Sequence, residues 1–277
     1  MWEKIGDILI YIFLGILQGI SEVLPISSSG HLALAQSVLN VNADNEALFA
    51  IFLHFASLLA LLIFFRKLIW QMIVGSYLYI FKKDQTKKDD FMLVVYVIVA
   101  SIPVGIVGVL FEEEINSIFS NLLYIGIFFL ITALILYLIS FLKAEGNDKI
   151  TFKSAIIVGL FQLLGIFPGI SRSGITMSGG KVAKLSNDKA KQFAFLLFIP
   201  VAFGSFIFSL GDFATISQAG GSTIILYIIS MIFTFIFTYL ALEFIFKKFS
   251  IKHYKYFAIY MVFIGVLTIS YYVIFVK

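Results

Sequence analysis

The chain has 277 residues, of which 61% are hydrophobic and only 13% are charged, with a formal net charge of +4. Soluble domains carry about a quarter charged residues, and a single soluble core could not cover this much apolar surface, which lipid solvates directly. The composition therefore excludes a soluble globular protein. The absence of cysteine excludes disulfides and thiolate metal sites, and the modest positive charge indicates membrane topology rather than a nucleic-acid partner.

Apolar runs long enough to cross about 30 Å of hydrocarbon recur along the whole chain. In chain order they lie near residues 5–20, 47–65, 91–111, 119–142, 153–167, 193–210, 222–246 and 254–275. A shorter run, 68–81, has basic residues at both ends and is compatible with an oblique crossing or with the interface. The sequence predicts an all-α polytopic membrane protein with roughly eight to ten membrane segments, folded as one transmembrane domain over residues 1–277.

Two stretches, 21–40 and 168–188, interrupt this pattern with Ser, Gly, Pro and charged residues. Irregular backbone at membrane depth is tolerated only where it is buried in protein or lines a watery cavity. We therefore predict two re-entrant segments that line one cavity. Two ordinary surface loops are the alternative.

The two stretches share one pattern, G-x-x-Q followed after eight residues by S-x-S-G, at an offset of 144 residues. The matched pairs are Gly15 with Gly159, Gln18 with Gln162, Ser27 with Ser171, Ser29 with Ser173, and Gly30 with Gly174. Five matches in register predict an internal duplication with halves of about 1–142 and 150–277. Such repeats often have inverted topology, with the site where they meet. Inversion needs an odd number of crossings between the copies, which under this segmentation requires 68–81 to cross.

The first break carries a carboxylate and an imidazole. Gln18 and Glu22 are four residues apart, so they share one face of a helix, and a carboxylate among apolar helices is costly unless it is paired or near water. His31 can donate or accept a proton near neutral pH. Glu22 and His31 are therefore candidate acid–base residues. The alternatives are a Glu22 solvated at the bilayer surface and a His31 that caps a helix or bonds within the core.

A serine cluster lies between these two groups. Pro25 and Gly30 bracket Ser27, Ser28 and Ser29, and a bend there would leave backbone N–H groups free to meet an anion. The hydroxyls add donors, and one of them is a candidate nucleophile beside the acid–base pair.

The second break carries Arg172 between two serines and two glycines. The guanidinium fork suits phosphate, and the glycines allow backbone N–H groups to approach the same oxygens. The accompanying donors are Ser171, Ser173, Gly174 and Thr176. We predict an anion clamp, with a surface topology marker as the alternative.

Together these groups favour phosphate ester or anhydride chemistry on a lipid, whose tail could remain among the helices. An activatable serine and an acid–base pair favour catalysis over transport of the lipid. His54, in the apolar run 47–65, is interpreted as a packed polar residue rather than a ligand.

The chain resembles the undecaprenyl-diphosphate phosphatase family, the bacitracin-resistance membrane phosphatases. One family motif, Glu or Gln followed four residues later by Glu, is matched by Gln18 and Glu22 and followed by P-I-S-S-S-G-H at 25–31. The other, P-G-x-S-R-S-x-x-T, is matched in full at 168–176. Gln18 stands where many relatives carry Glu.

The resemblance implies hydrolysis of undecaprenyl diphosphate to undecaprenyl phosphate and inorganic phosphate, which recycles the carrier lipid for cell-wall synthesis and confers bacitracin resistance. It implies a divalent cation, Mg²⁺ with Ca²⁺ as the alternative, held in part by Glu22. It also implies a multi-pass protein of the bacterial plasma membrane whose site faces the outer side. A homodimer is left open.

With the resemblance, the candidate residues take roles. The expected catalytic residues are Glu22, Ser27, Ser28, His31 and Arg172, and the expected substrate-binding residues are Gln18, Ser29, Ser171, Ser173, Gly174 and Thr176. Ser28 or Ser27 attacks the terminal phosphorus while His31 relays the proton, or water attacks with His31 or Glu22 as base.

Two rival functions share parts of this pattern. Acid-phosphatase-like lipid phosphatases need a second His soon after the Ser-Arg pair, whereas the next His after Arg172 is His253, so that reading fails. A polyprenyl-phosphate transporter or flippase stays open, because broken helices in an inverted repeat are typical of transporters.

Overall fold

The structure, a computed structural model, describes residues 2–41, 46–111, 114–115, 118, 121–142, 146–208 and 221–277. Eleven α-helices lie in these ranges: α1 Trp2–Val23, α2 Ser28–Val38, α3 Glu46–Phe64, α4 Arg66–Lys82, α5 Lys88–Leu110, α6 Leu122–Ile139, α7 Phe152–Leu164, α8 Arg172–Val182, α9 Asn187–Phe208, α10 Gly221–Lys248 and α11 Tyr254–Tyr271. In the same ranges β structure is limited to one bridge, between Asn147 and Leu185. The prediction of an all-α fold is confirmed.

Within the described ranges, six helical stretches are long and apolar enough to cross a membrane: Ile5–Val23, Gln85–Leu110, Leu122–Ile139, Asn187–Phe208, Thr223–Lys248 and Ile251–Val276. α3 and α4 form a further apolar pair, bent by 73° at the break between them, and α7 is a shorter apolar helix. Isoleucine, leucine and phenylalanine side chains are exposed along the long helices, as lipid contact requires. The chain is therefore a multi-pass membrane protein.

Contacts between helix ends define one end of the bundle, which we call the basic end. It gathers the end of α3, the start of α5, the start of α7, the start of α9 and the end of α10. The defining contacts are Lys149 with Asp89 at 3.2 Å, the bridge of Asn147 with Leu185, Lys191 Nζ with the Phe249 carbonyl at 3.2 Å, and the ring pair of Phe65 with Phe246 at 5.5 Å. The other end, where Tyr271 donates to the Ser37 carbonyl at 3.3 Å, we call the opposite end.

The first hairpin, α1 and α2, enters from the opposite end and turns inside the bundle. α1 runs parallel to α10, because Gly15 packs on Ser230 and Gly19 packs on Thr234. At this register Val23 lies beside the interior of α10, well before that helix ends at Lys248. α2 then returns to the opposite end.

The second hairpin, α7 and α8, enters from the basic end. α7 runs parallel to α5, because Lys149 just before α7 pairs with Asp89 and Gly159 packs on Ala100 further along. α8 returns to the basic end, where Lys181 lines a small cavity with residues of α9 and of the loop after α10. The two hairpins thus enter from opposite ends and meet inside.

The matched serines adopt the same local structure in both hairpins. Ser27 caps α2 and accepts from the Gly30 N–H at 3.4 Å, and Ser171 caps α8 and accepts from the Gly174 N–H at 3.1 Å. A side-chain oxygen in this position satisfies one of the free N–H groups at a helix start. Gly30 is required by a close approach, since a Cβ there would lie 2.5 Å from the Phe129 ring.

This arrangement removes the predicted need for segment 68–81 to cross. The α1–α2 hairpin makes no net crossing, so α3, α5 and α6 are the three helices that cross between the hairpins, and three is already odd. α4 bends 73° away from α3 and leads back to the start of α5 at the basic end. Hairpins that enter from opposite ends are the arrangement that an inverted repeat requires.

Replacing Gly15 with Leu is expected to lower the unfolding temperature in detergent by about 5 °C or more, because overpacking a tight contact costs about 1–3 kcal/mol. A Cβ at position 15 would lie 2.4 Å from the Ser230 carbonyl oxygen, whereas Gly6, on the same helix, has no such neighbour within 4 Å. Gly6→Leu is therefore the matched control. Equal unfolding temperatures for the two variants, measured by loss of the monodisperse peak after heating, would contradict the packing of α1 on α10.

Candidate active site

Glu22, one residue before the end of α1, is the centre of the polar cluster where the hairpins meet. Its Oε2 accepts from Gln18 Nε2 at 2.9 Å and from Ser28 Oγ at 2.7 Å, and His54 Nε2 lies 3.3 Å from the same oxygen. Its Oε1 forms an ion pair with the Arg172 guanidinium. The carboxylate is 6% exposed, and these four partners offset the cost of burying its charge. A Glu22 solvated at the bilayer surface is therefore excluded.

Arg172, the first residue of α8, faces this carboxylate from the second hairpin. Its guanidinium carbon lies 4.0 Å from the centroid of the buried Phe198 ring, a cation–π contact that holds the planar group in place. The side chain is 18% exposed. Arg172 is thus inside the bundle, as the prediction of an anion clamp requires, and is not a surface topology marker.

A cavity opens beside the ion pair. Its empty space is about 250 Å³, including the part open at its mouth, and it lies among α1, α3, α8 and α9. The lining residues are Glu22, Val23, Leu61, Arg172, Ser173, Ala194, Phe195 and Phe198. One carboxylate, one guanidinium and one hydroxyl therefore converge in an otherwise apolar wall, which is the usual composition of a ligand site.

The structure separates the roles of the two serines that were candidate nucleophiles. Ser28 Oγ donates to Glu22 at 2.7 Å, so a group able to take its proton is already in contact. Ser27 Oγ caps α2 instead, and the Ser27 backbone has a left-handed φ of 65°. Ser29 is partly exposed and its Oγ lies 3.5 Å from Ser27 Oγ. The geometry favours Ser28 over Ser27.

Both ring nitrogens of His31 are engaged away from Ser28. Nδ1 lies 2.8 Å from the Ser27 carbonyl, which can only accept, so Nδ1 carries the hydrogen. Nε2 then accepts from the Tyr260 hydroxyl at 2.7 Å, and the two rings stack at 5.6 Å. The predicted proton relay from Ser28 to His31 stays a prediction, and it needs a rearrangement of these contacts.

The hydroxyls of the second hairpin support Arg172. Ser171 Oγ lies 3.3 Å from Ser173 Oγ, and Ser173 donates to the Leu24 carbonyl at 3.0 Å, which joins the two hairpins. Thr176 donates to the Arg172 carbonyl at 2.7 Å. The structure therefore brings these predicted substrate-binding residues to the site, where their hydroxyls hold the backbone around the guanidinium. Their contact with substrate stays a prediction.

Sequence reasoning missed three residues of the site. His54, interpreted as a packed polar residue rather than a ligand, lies against Glu22 and so belongs to the polar cluster. The sequence could have indicated a role for His54, because an ionisable residue inside a membrane-spanning run is a functional candidate by default. Phe198 and Tyr260 carried no comparable signal among 32 Phe and 13 Tyr.

The donor set fits a divalent cation that arrives with a phosphate ligand. In the part of the chain that the structure describes, no three His, Asp or Glu residues are grouped so as to hold a metal ion by themselves. Glu22 is the carboxylate in the cavity lining. Mg²⁺ is typically bound by one or two carboxylates together with substrate phosphates and water, and Glu22 can supply that single protein ligand.

Comparison with known proteins finds relatives over nearly the whole chain. The family model described as "Bacitracin resistance protein BacA" matches residues 11–267. The chain is 38% identical to "Undecaprenyl-diphosphatase 2" of Bacillus thuringiensis (strain Al Hakam), over 96% of this chain and 98% of the relative. It is 40% identical to "Undecaprenyl-diphosphatase" of Oceanobacillus iheyensis, over 97% and 98%, and 36% identical to that of Acholeplasma laidlawii, over 98% and 100%.

Proposed function

The chain belongs to the family of the bacitracin resistance protein BacA, and from this premise we propose that it is an integral membrane undecaprenyl-diphosphatase. It hydrolyses undecaprenyl diphosphate to undecaprenyl phosphate and inorganic phosphate, which recycles the carrier lipid for cell-wall synthesis and confers bacitracin resistance. The observation that carries the proposal is the contact of Ser28 and Arg172 with one buried carboxylate, Glu22. Transport is not favoured, because the relatives are named as phosphatases.

Arg172 binds the diphosphate. Without substrate the guanidinium is paired with Glu22, so the phosphate oxygens compete with that carboxylate for the same donors. Bidentate Arg–phosphate pairs are among the strongest charge-assisted hydrogen bonds in proteins. Phe198 keeps the guanidinium in the cavity while its partner changes. The exchange releases Glu22 Oε1 at the moment when the substrate arrives.

Ser28 is the nucleophile and Glu22 is its base. Ser28 Oγ bonds to the terminal phosphorus, the bond from that phosphorus to the bridging oxygen breaks, and undecaprenyl phosphate leaves. The Ser28 proton passes to Glu22 along the 2.7 Å hydrogen bond. Water then attacks the phosphoserine, which releases inorganic phosphate and restores the hydroxyl. Arg172 stabilises the charge that develops on the phosphoryl oxygens. Direct attack by water, with Glu22 as base, is the second route through the same residues.

A divalent cation, Mg²⁺ with Ca²⁺ as the alternative, is part of the proposal. Glu22 and the diphosphate oxygens would hold it, and when bound it would neutralise charge on the phosphates. Glu22, freed from Arg172 by the substrate, would supply the protein ligand.

We also propose that the site opens to the outer side of the bacterial plasma membrane. The lysines and arginines of the basic end are Arg66, Lys67, Lys82, Lys83, Lys87, Lys88, Lys149, Lys153, Lys181, Lys184, Lys189, Lys191, Lys247, Lys248, Lys252 and Lys255. Cytoplasmic loops carry such an excess, so the basic end is cytoplasmic. The hairpin that holds Glu22 and Ser28 then enters from outside. A homodimer stays a prediction.

Phosphate release by the purified protein in detergent, with undecaprenyl diphosphate and Mg²⁺, tests the function. We expect turnover that EDTA abolishes and that excess Mg²⁺ restores, since Mg²⁺ is typically bound by substrate phosphates and only one or two carboxylates, and Glu22 is the carboxylate in the cavity lining. Full turnover in EDTA would overturn the metal part of the proposal. No release from monodisperse protein, together with lipid flipping in vesicles, would overturn the enzyme.

A further inference from the structure

His54 lies on α3, outside both hairpins, yet it contacts the central carboxylate. Its Nε2 is 3.3 Å from Glu22 Oε2, and its Nδ1 is 2.8 Å from the Ala50 carbonyl oxygen. Both oxygens accept, so the ring makes both contacts as the imidazolium, which has a hydrogen on each nitrogen. The Ala50 contact fixes the ring so that Nε2 faces Glu22. The chemistry proposed above gives this residue no role.

The four described partners of Glu22 differ in what happens to them during turnover. Gln18 and Ser28 belong to the same hairpin as Glu22 and move with it. Arg172 comes from the other hairpin, but it is the group for which the diphosphate competes. Among these four partners, His54 is therefore the one that comes from outside the first hairpin and also stays in place when substrate binds.

α3 is a rigid platform for this contact. Ser57 Oγ lies 3.0 Å from Thr238 Oγ1 on α10, one turn beyond His54. Phe49 and Leu53 on the same helix are fully buried. A side chain carried by such a packed element holds its position more accurately than one on a loop.

The internal repeat provides an independent observation. The offset of 144 residues continues without a gap into α3 and α9, where the pairs Phe49 with Phe193 and Leu53 with Leu197 are fully buried. At the same offset His54 corresponds to Phe198, the residue under the Arg172 guanidinium. In each copy, the helix after the hairpin thus places a side chain at this position against an ionic group of the site.

We propose that His54 is a positioning residue, which holds the Glu22 carboxylate in contact with Ser28 after the substrate has taken Arg172 away from it. The proposal rests on the hydrolysis proposed above. The chemical requirement at position 54 is a nitrogen donor that reaches Glu22 Oε2. A Gln side chain meets this requirement, and a Leu side chain of similar size does not.

The test measures kcat and KM for undecaprenyl diphosphate with wild type, His54→Leu and His54→Gln. We expect His54→Leu to lower kcat by about 10- to 100-fold, the usual effect of removing a residue that orients a reacting group, with KM nearly unchanged. His54→Gln is expected to recover most of kcat. His253→Leu is the matched control, because His253 bonds to Ser250 in a turn at the basic end and its loss is expected to leave both constants unchanged.

The outcomes separate this inference from the function on which it rests. No hydrolysis by wild type refutes the enzyme. Hydrolysis by wild type with equal kcat in His54→Leu refutes the positioning role, and so does a rise in KM with unchanged kcat, which would make His54 a substrate contact. An equal decrease of kcat in His54→Leu and His54→Gln, with unfolding temperatures as in wild type, also refutes it. Hydrogen-bond donation by the side chain at position 54 would then not explain the decrease.

Discussion

Replacing Arg172 by Ala is expected to lower kcat/KM for undecaprenyl diphosphate by about 10³-fold or more, the range found when an arginine that stabilises a transferring phosphoryl group is lost. The variant loses the group that we propose binds the diphosphate, and it leaves Glu22 without its ion-pair partner. Arg172→Lys keeps the charge but not the planar fork that phosphate accepts bidentately, so an intermediate loss is expected. The measurement is phosphate release from monodisperse protein.

Arg66→Ala is the matched control for this prediction. Arg66 is exposed at the start of α4, where its guanidinium donates to the Ile63 carbonyl at 2.9 Å, far along the chain from either hairpin. Its loss is expected to leave turnover unchanged. Turnover of Arg172→Ala within tenfold of wild type would refute the clamp.

Ser28→Ala is expected to lower kcat by about 10³-fold or more, because it removes the hydroxyl that we propose as the nucleophile. The neighbouring Ser27→Ala provides the comparison. Ser27 caps α2, so its replacement costs about 1 kcal/mol of helix stability and is expected to change kcat by less than tenfold.

Two measurements check this contrast. One is phosphate release from both serine variants. The other is a rapid acid quench with lipid labelled at the terminal phosphate, which is expected to leave label on Ser28. If Ser28→Ala retains turnover and no label is trapped, water is the attacking group and the covalent route is wrong.

Much of the site was predictable from sequence because chemical residues clustered in two breaks with a common pattern. Glu22, Ser28 and Arg172 were assigned to one cavity, and the structure brings them into contact. The choice between Ser27 and Ser28 was not predictable. It depends on which hydroxyl caps α2, and therefore on backbone torsions that two adjacent identical residues do not reveal.

The fold was predictable as a class but not in its crossings. α1 has 22 residues, enough to span a bilayer, and its length favoured a full crossing. Its actual depth is set by the glycines that fix its register on α10, so it stops inside and the chain turns back. Length predicts that a helix can cross; packing decides whether it does.

The internal repeat predicts the backbone structure of the two hairpins better than it predicts which of their residues are ionisable. Ser27 and Ser171 cap their helices in the same way, as their matched positions suggest. At the same offset, however, Glu22 corresponds to Ile166 and His31 to Ile175. The first hairpin therefore carries the carboxylate and the imidazole, and the second carries the guanidinium, on two copies of one backbone.

The pairing of Glu22 with Arg172 spans 150 residues of sequence, and this has a consequence for biosynthesis. At about 5–20 residues per second, the ribosome needs roughly 8–30 s to make the intervening chain. During that interval the first hairpin enters the membrane with Glu22, whose partner Arg172 has not yet been synthesised. The cluster is completed when the second hairpin docks, so a truncated or stalled chain contains Ser28, the proposed nucleophile, but lacks Arg172, the proposed diphosphate-binding group. We therefore expect activity to appear only when the second hairpin has docked, and we expect truncated chains to be inactive.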